Sequence, residues 1–447
     1  MKATLYTLTT VLLFLVLRGN GQAQPVLLKH VTVIDGTGKP PQQNMFVLID
    51  HGKIVDMSPK EMVTVMTVMP QDLSGKTIMP VITNAHAHLG TVKGVTASAV
   101  NYTRENILRQ LQKYETYGVD AIQVMGSDRE MIFDMRDSSQ NGWLPGATIY
   151  TAGYGFSAPN GGPPTSLGMD KVYRPATPEE AVKDVQELAK LKPDLIKMWV
   201  DDFGGTSPKM KPEISAAIIG EAHKQHIRVA SHLYYLEDAH RLVDQGLDII
   251  AHSIRDKDVD DALIEKMKQK NVAYIPTLSL DEFQFAYANK PEWLEEPFFK
   301  VALELGVYEM ITSGDYRSKI MSNPNFEKNK AAFETALRNV KKLFDAGVLI
   351  ALGTDSGANP VRVQGFSEHL EMQLLTQAGL TPLQAIMIAT QNAAKVVHKK
   401  IPGTLEKGNA ASFIVLKNNP AKDIKNTRSI LEVWKNGVKV NDGPMKD

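Results

Sequence analysis

Short apolar runs recur through the middle of this chain, each set apart from the next by a stretch with helical periodicity, and this alternation narrows the fold more than any other feature. The runs lie at 77–83, 119–125, 147–152, 195–200, 228–232, 248–252, 272–277 and 348–353. They are short and rich in β-branched residues, so they read as buried strands. Between them, 177–191, 214–226, 236–245 and 261–270 repeat apolar residues at the spacing of one helix face. Thr177-Pro-Glu-Glu predicts a capped helix start, with Pro178 in the first turn and Glu180 three residues after the cap. The alternation predicts an α/β fold with a parallel sheet. Eight strands with crossover helices is the count of a (β/α)8 TIM barrel, whose chemistry sits at the C-terminal strand ends; a long open parallel sheet is the alternative.

The two ends of the chain differ from this middle. Val26 to Val33, the turn Asp35-Gly-Thr-Gly, and Met45 to Ile49 with His51-Gly52 and Lys53 to Val55 suggest short strands and a hairpin. Ser412 to Leu416, Ile430 to Trp434, Asn436-Gly437 and Val438 to Val440 repeat the pattern. Residues 24–76 and 401–447 are therefore expected to build one small β-sandwich domain, with the barrel inserted as residues 77–400. Residues 1–23 read as a signal peptide: Lys2, an apolar stretch from Leu5 to Leu17, and Gly21-Gln22-Ala23 as a small-residue cleavage site. Export to a bacterial periplasm or secretion is the expected address. The absence of cysteine excludes disulfides and thiolate zinc sites, and is compatible with that address. Fifty basic against fifty acidic residues argue against a nucleic-acid partner or a polybasic membrane surface, and after signal cleavage no membrane association is expected. Residues 281–345 exceed a usual crossover and carry Phe283, Phe285, Tyr287, Trp293, Phe298 and Phe299. A helical insertion burying its own aromatics is favoured over a substrate lid.

Ligand-type residues stand at the ends of the apolar runs. His86-Ala-His88 closes the first, and residues two apart on a strand share a face, so both imidazoles can converge on one metal ion. Lys197 interrupts the fourth run. An edge lysine snorkels to water, but one pointing into a metal pocket is driven toward its neutral amine, which takes up carbon dioxide to become a bridging carbamate. His232 and His252 end the fifth and sixth runs and would complete a second metal site, although each alone reads as a satisfied histidine. Asp355 ends the eighth, where alone it reads as a helix cap. Six such residues in barrel order make independent coincidence a poor explanation.

On these motifs the chain resembles the amidohydrolase superfamily, in particular exported members similar to imidazolonepropionase-like amidohydrolases and metal-dependent Xaa-Pro or Xaa-Arg dipeptidases and carboxypeptidases. The family's His-x-His falls on His86 and His88, its carboxylated lysine on Lys197, its further histidines on His232 and His252, and its aspartate on Asp355, inside an intact Gly353-Thr-Asp-Ser356. The resemblance covers the chain from the first β-segment to Gly403-Thr-Leu-Glu-Lys-Gly408. There are departures. Pro80-Val-Ile-Thr-Asn84 stands where the family often reads Pro-Gly-Leu-x-Asp, and Asn84 removes a charge behind the metal ligands. Gly161-Gly162-Pro163 replaces Gly-Gly-His, and Ala411-Ser412-Phe413 replaces Ala-Asp-Leu.

The resemblance implies two divalent metal ions, zinc by expectation, with N6-carboxylated Lys197 and a hydroxide between them. Asp355 is expected to move the proton from hydroxide to leaving nitrogen, and Tyr234 is a candidate donor to the oxyanion or else a packed aromatic at a helix start. The implied activity is hydrolysis of a C–N amide bond in a small amide or peptide substrate, a dipeptide or N-acyl amino acid, releasing the C-terminal residue. A cyclic-amide or lactone hydrolase is the alternative, and a periplasmic metal- or ligand-binding protein without turnover is the alternative of another class. A homo-oligomer is left open.

Overall fold

Pro80 is where the chain passes from one sheet to another. In this computed structural model, which describes residues 24–62, 67–163, 171–398 and 401–445, the first apolar run is not one strand but two. Thr77–Pro80 pairs antiparallel with Phe413–Leu416 and parallel with Val26–Val33. Ile82–Ala87 pairs parallel with Val119–Val124. Proline has no N–H to continue the ladder, and Ile82 N turns to Gly118 O at 2.8 Å, so the first sheet ends three residues inside the expected barrel boundary. The expected signal peptide, residues 1–23, lies outside the described residues.

Both chain ends contribute to one eight-stranded mixed sheet. Two of its hairpins are written locally: His51-Gly52 and Asn436-Gly437 all hold positive φ, the turn whose twist matches paired strands. One face of the sheet closes over its own apolar cluster, where Phe413 stacks on Trp434 at 5.3 Å beside Val31 and Ile54. The ladder is that of a single sheet, where two layers of a sandwich were expected.

The middle of the chain alternates as its periodicity predicts. Parallel strands form a three-stranded sheet, ordered Thr148–Thr151, Val119–Val124, Ile82–Ala87, and a six-stranded sheet running through Ile196–Trp199, Val229–His232, Ile249–Ala251 and Ala273–Ile275. The crossover helices include Pro178–Ala189, Pro212–Lys224, Leu236–Asp244 and Asp261–Gln269. Thr177 Oγ1 accepts from Glu180 N at 3.2 Å, and Glu180 reaches back to Ala176 N at 2.7 Å. The closed ring expected of a barrel is not continuous. Residues 348–353 make no regular strand, only single bridges, Ile350 to Tyr274 and, just beyond, Ser356 to Ala87. The reason lies in the helical stretch behind them: Leu352 N donates to Ile388 O at 3.2 Å and Ile350 O accepts from Asn392 Nδ2 at 3.0 Å.

The 281–345 segment buries Phe283, Tyr287, Trp293, Phe298 and Phe299, with Trp293 and Phe299 edge to face at 4.8 Å. Among the described residues no helix is long and apolar enough to cross a membrane.

Gly353 marks how tightly the joining segment is seated. A Cβ there would lie 2.3 Å from Ile275 Cγ2 and 2.7 Å from His86 Cβ. Gly353→Ala is expected to cost about 1–3 kcal/mol through overpacking, read as a lower urea midpoint.

Candidate metal centre

The residues singled out at the strand ends meet at one end of the parallel sheets. His86 and His88 leave Ile82–Ala87 on the same side, and both Nε2 atoms approach a single carboxylate oxygen, Asp355 Oδ1, at 3.1 and 2.9 Å. One ligand atom from each of the three lies within 4.8 Å of the others. His252 faces His86 with ring centroids 4.4 Å apart, and His232 faces His252 at the same separation, so the four imidazoles run in a row. Lys197 lies on Ile196–Trp199 with its side chain buried, close enough to raise the charging cost of His86 and His252. Its stem passes over Gly126, where an added Cβ would lie 3.0 Å from Lys197 Cβ and Cγ and φ is +86°. Asp355 and His252 also hold positive φ, at 58° and 81°, backbone states that side-chain-bearing residues adopt rarely and that concentrate at functional sites.

Protonation suits a cation. Burial, then the Lys197 ammonium, pushes His86 down to about 3, and burial holds His252 well below its ordinary value, so both are neutral imidazoles. Burial alone would raise Asp355, but the Arg362 guanidinium on its Oδ2 and the adjacent His88 hold it well below the usual carboxylate range. Burial also brings Lys197 down to about 7, against the pull of Asp355 and Asp201. Lys197 Nζ has no hydrogen-bond partner among the described residues, a costly state for a buried amine. Neutral imidazoles, an ionised carboxylate and an orphaned amine fit a divalent ion with nitrogen and oxygen ligands.

Residues not singled out from the sequence aim these ligands. Ser127 Oγ sits 2.5 Å from His88 Nδ1 and Thr277 Oγ1 2.7 Å from His252 Nδ1, so each ring presents Nε2 inward. Asp201 Oδ1 is 3.1 Å from His232 Nε2, leaving Nδ1 of that ring for the site, and Phe203 stacks on it at 5.1 Å. Ser127, Asp201 and Thr277 stand two or three residues beyond Val119–Val124, Ile196–Trp199 and Ala273–Ile275. Reading that far past every strand end would have found them. Arg362, in the loop after Asp355, had no such signal.

Behind the ligands, Glu368 Oε1 accepts from Asn84 Nδ2 at 2.5 Å, Thr354 Oγ1 at 2.9 Å and Ser356 Oγ at 2.7 Å, while Asn84 Oδ1 accepts from His86 N at 2.9 Å. The carboxyl group missing at position 84 is supplied from helix Phe366–Gln377, where burial raises the Glu368 pKa. In front lies a cavity of about 530 Å³ lined by His88, His232, His252 and Asp355 at one side and by Tyr234, Arg255 and Arg362 among others. Pro163, where the family motif carries histidine, lines it without a donor.

The amidohydrolase family model matches residues 77–440. This chain belongs to the amidohydrolase family. Ochratoxinase of Aspergillus niger is 28% identical over 242 residues, 53% of this chain and 42% of the relative, so the chain matches under half the length of that relative. A 5-methylthioadenosine/S-adenosylhomocysteine deaminase of Bacillus cereus is 20% identical over 406 residues, 84% of this chain and 81% of the relative. Among solved structures, a Xaa-Pro dipeptidase with bound methionine superposes with TM-score 0.72 at 22% identity, covering 93% of this chain and 99% of the other. These likenesses support the family and fold read from the strand-end motifs.

Two outcomes are expected. Asn84→Asp sets two carboxyls against each other and should lower bound metal and denaturation midpoint together, and adding Glu368→Gln should recover both, measured by elemental analysis and urea titration. Metal-free protein should weaken in acid. His86 and His369 are both pushed down to about 3 by burial first, so the unfolded chain binds protons below about 6.5 that the folded chain refuses. Stability therefore falls as pH drops from about 6.5 toward 3, on the order of 2 kcal/mol per histidine by pH 5, read from urea midpoints.

Proposed function

We propose that this protein is a metal-dependent hydrolase that cleaves the C–N amide bond of a small substrate, a dipeptide or N-acyl amino acid, and releases the C-terminal residue. The observation that carries the reading is the shared Asp355 Oδ1 between His86 and His88 at the base of the cavity, with Lys197 unpartnered beside it. His86, His88 and Asp355 would hold one divalent ion and His232 and His252 a second, both zinc. Lys197 would add a carboxylate ligand as a carbamate: its neutral Nζ adds to carbon dioxide, a C–N bond forms as one C–O π bond opens onto oxygen, and one proton passes to water. Divalent ions held there would supply a water acidic enough to react near neutral pH and would polarise the amide carbonyl.

The chain's own groups do the rest. Asp355, ionised in the cavity floor, accepts the proton from the attacking water and returns it to the leaving nitrogen. Tyr234, whose hydroxyl has no hydrogen-bond partner among the described residues, donates to the developing oxyanion from the cavity wall. We further infer that the two parallel sheets are arcs of a (β/α)8 barrel that begins at Ile82. Ala351 N to Tyr274 O at 3.0 Å and Ala85 N to Leu352 O at 2.8 Å support this, since they carry the joining segment to both arcs. The flanking segments 24–76 and 401–447 form one small β-domain built on a single sheet, and residues 1–23 direct export.

The test is turnover by metal-loaded protein on pooled dipeptides and N-acyl amino acids. Asp355→Asn should keep much of the metal and lose about 10²–10⁴-fold in kcat. Lys197→Ala should lose metal by elemental analysis, and short carboxylic acids should restore part of the rate. Metal uptake without turnover on any pool would overturn the reading, and full metal and rate in Lys197→Ala would remove the carbamate.

A further inference from the structure

Thr277 opens a short helix, Leu278–Phe283, and yet its side chain does not cap it. A threonine in that place ordinarily sits in extended backbone and turns its hydroxyl onto an amide of the first turn. Here the backbone is left-handed, φ 53° and ψ 49°, a state that β-branched residues adopt rarely. Its Oγ1 lies 2.7 Å from His252 Nδ1 instead. The hydroxyl serves the ring, not the helix.

Another acceptor must then meet the helix amides. Leu278 N donates to Glu371 Oε1 and Ser279 N to Glu371 Oε2, both at 2.7 Å, so one carboxyl takes both. Asp281, the acidic residue of the helix's first turn, is turned to Arg255 at 3.1 Å and takes neither. Thr277 and Glu371 are both fully buried, and a buried amide left without an acceptor is costly. Glu371 comes from helix Phe366–Gln377, three residues after Glu368 and so on the same face. Glu368 braces the side of the site that holds His86 and Asp355, through Asn84, Thr354 and Ser356. Glu371 reaches the segment behind His252.

The geometry points to Glu371 as a positioning residue for His252, acting through Thr277. By accepting both amides it leaves the Thr277 hydroxyl free to take His252 Nδ1–H, and the bare Nε2 then faces inward. Without that carboxyl, two buried amides lack an acceptor. Thr277 is drawn back to extended backbone to cap them, and the ring loses its partner at Nδ1. What the ring is aimed at rests on the metal-hydrolase reading; how it is held does not.

The experiment reads the His252 ring in metal-free, full-length protein by long-range proton–nitrogen NMR near neutral pH, with its signals assigned by their absence in His252→Gln. Zinc affinity is then measured by competition with a chromogenic chelator. The wild-type ring should be a single tautomer protonated at Nδ1. Glu371→Gln should turn it into a mixture and weaken zinc binding about tenfold. Thr277→Val should give the same two changes, and adding Glu371→Gln to it should bring no further loss, because the two residues act in one line. Glu371→Asp, which keeps a carboxyl at shorter reach, should fall between, and it carries the test where the glutamine variant does not fold. Glu282→Gln, on the same short helix with its carboxyl near Arg428 and Trp293, should leave ring and zinc as they were. An unchanged ring in Glu371→Gln, or in Glu371→Asp where only that variant folds, overturns the role, as do losses that add fully in the double variant. The same change in Glu282→Gln overturns it too, since general loosening would then explain it. A wild type that takes up no zinc would overturn the hydrolase reading and leave the ring result standing; zinc uptake and turnover with an unresponsive ring would do the reverse.

Discussion

The site depends on one seam. At the end of Ile82–Ala87 the amides of Thr354 and Asp355 both reach His86 O, at 3.0 and 2.8 Å, and His88 N reaches Ser356 O at 2.8 Å. These bonds tie the first parallel strand to the segment that follows the last, and they hold the Asp355 carboxylate between two imidazoles. Asp355 takes a left-handed backbone to get there, a cost of order 1–3 kcal/mol that persists because the surrounding bonds over-determine it. Gly353, two residues earlier, is needed for a different reason, since Ile275 and His86 leave no room for a Cβ. Without the seam the histidines are separate buried rings and the aspartate a loop residue.

Bringing so many polar groups out of water has to be offset locally. A buried charge with a missing partner is destabilising by several kcal/mol, whereas one held by several donors is tolerated. Asp355 is of the second kind, with two imidazoles on one oxygen and Arg362 on the other. Glu368 repeats the arrangement behind it, tying Asn84 on one strand to Thr354 and Ser356 on the joining segment. Lys197 is an exception: its amine is enclosed, stripped of water and unpartnered. His86 Nδ1 and Asp201 Oδ1 nearby also lack a hydrogen bond among the described residues, so unsatisfied polar atoms gather around the candidate metal centre.

The 281–345 segment serves two ends at once. Its aromatics pack on one another and on Phe366, which anchors the segment to the helix that carries Glu368. Tyr287 also donates to Val361 O at 3.1 Å, reaching the loop that presents Arg362. The insertion is thus a wall coupled to the same helix and loop that brace the candidate metal ligands.

Much of this was legible in the order of residues. Strand and helix periodicity, His51-Gly52 and Asn436-Gly437 as turns, and ligand-type residues at strand ends are local patterns, and each is decided within a few residues by side-chain alternation, turn sterics or burial. That is why His86, His88, Lys197, His232, His252 and Asp355 could be named before their distances were known. The break at Pro80, the irregular joining segment, and which ring nitrogen Ser127, Asp201 and Thr277 engage were not legible. Each depends on a partner far along the chain: Phe413, Ile388, or a ring nitrogen whose direction is set by packing. The amino-acid sequence by itself determined which groups could bind a cation and on which kind of element they sit. Only the tertiary structure decided which nitrogen of each ring faces inward, which carboxylates are already engaged, and that a glutamate of helix Phe366–Gln377 meets the amides after Thr277, because orientation and charge balance belong to contacts between distant segments.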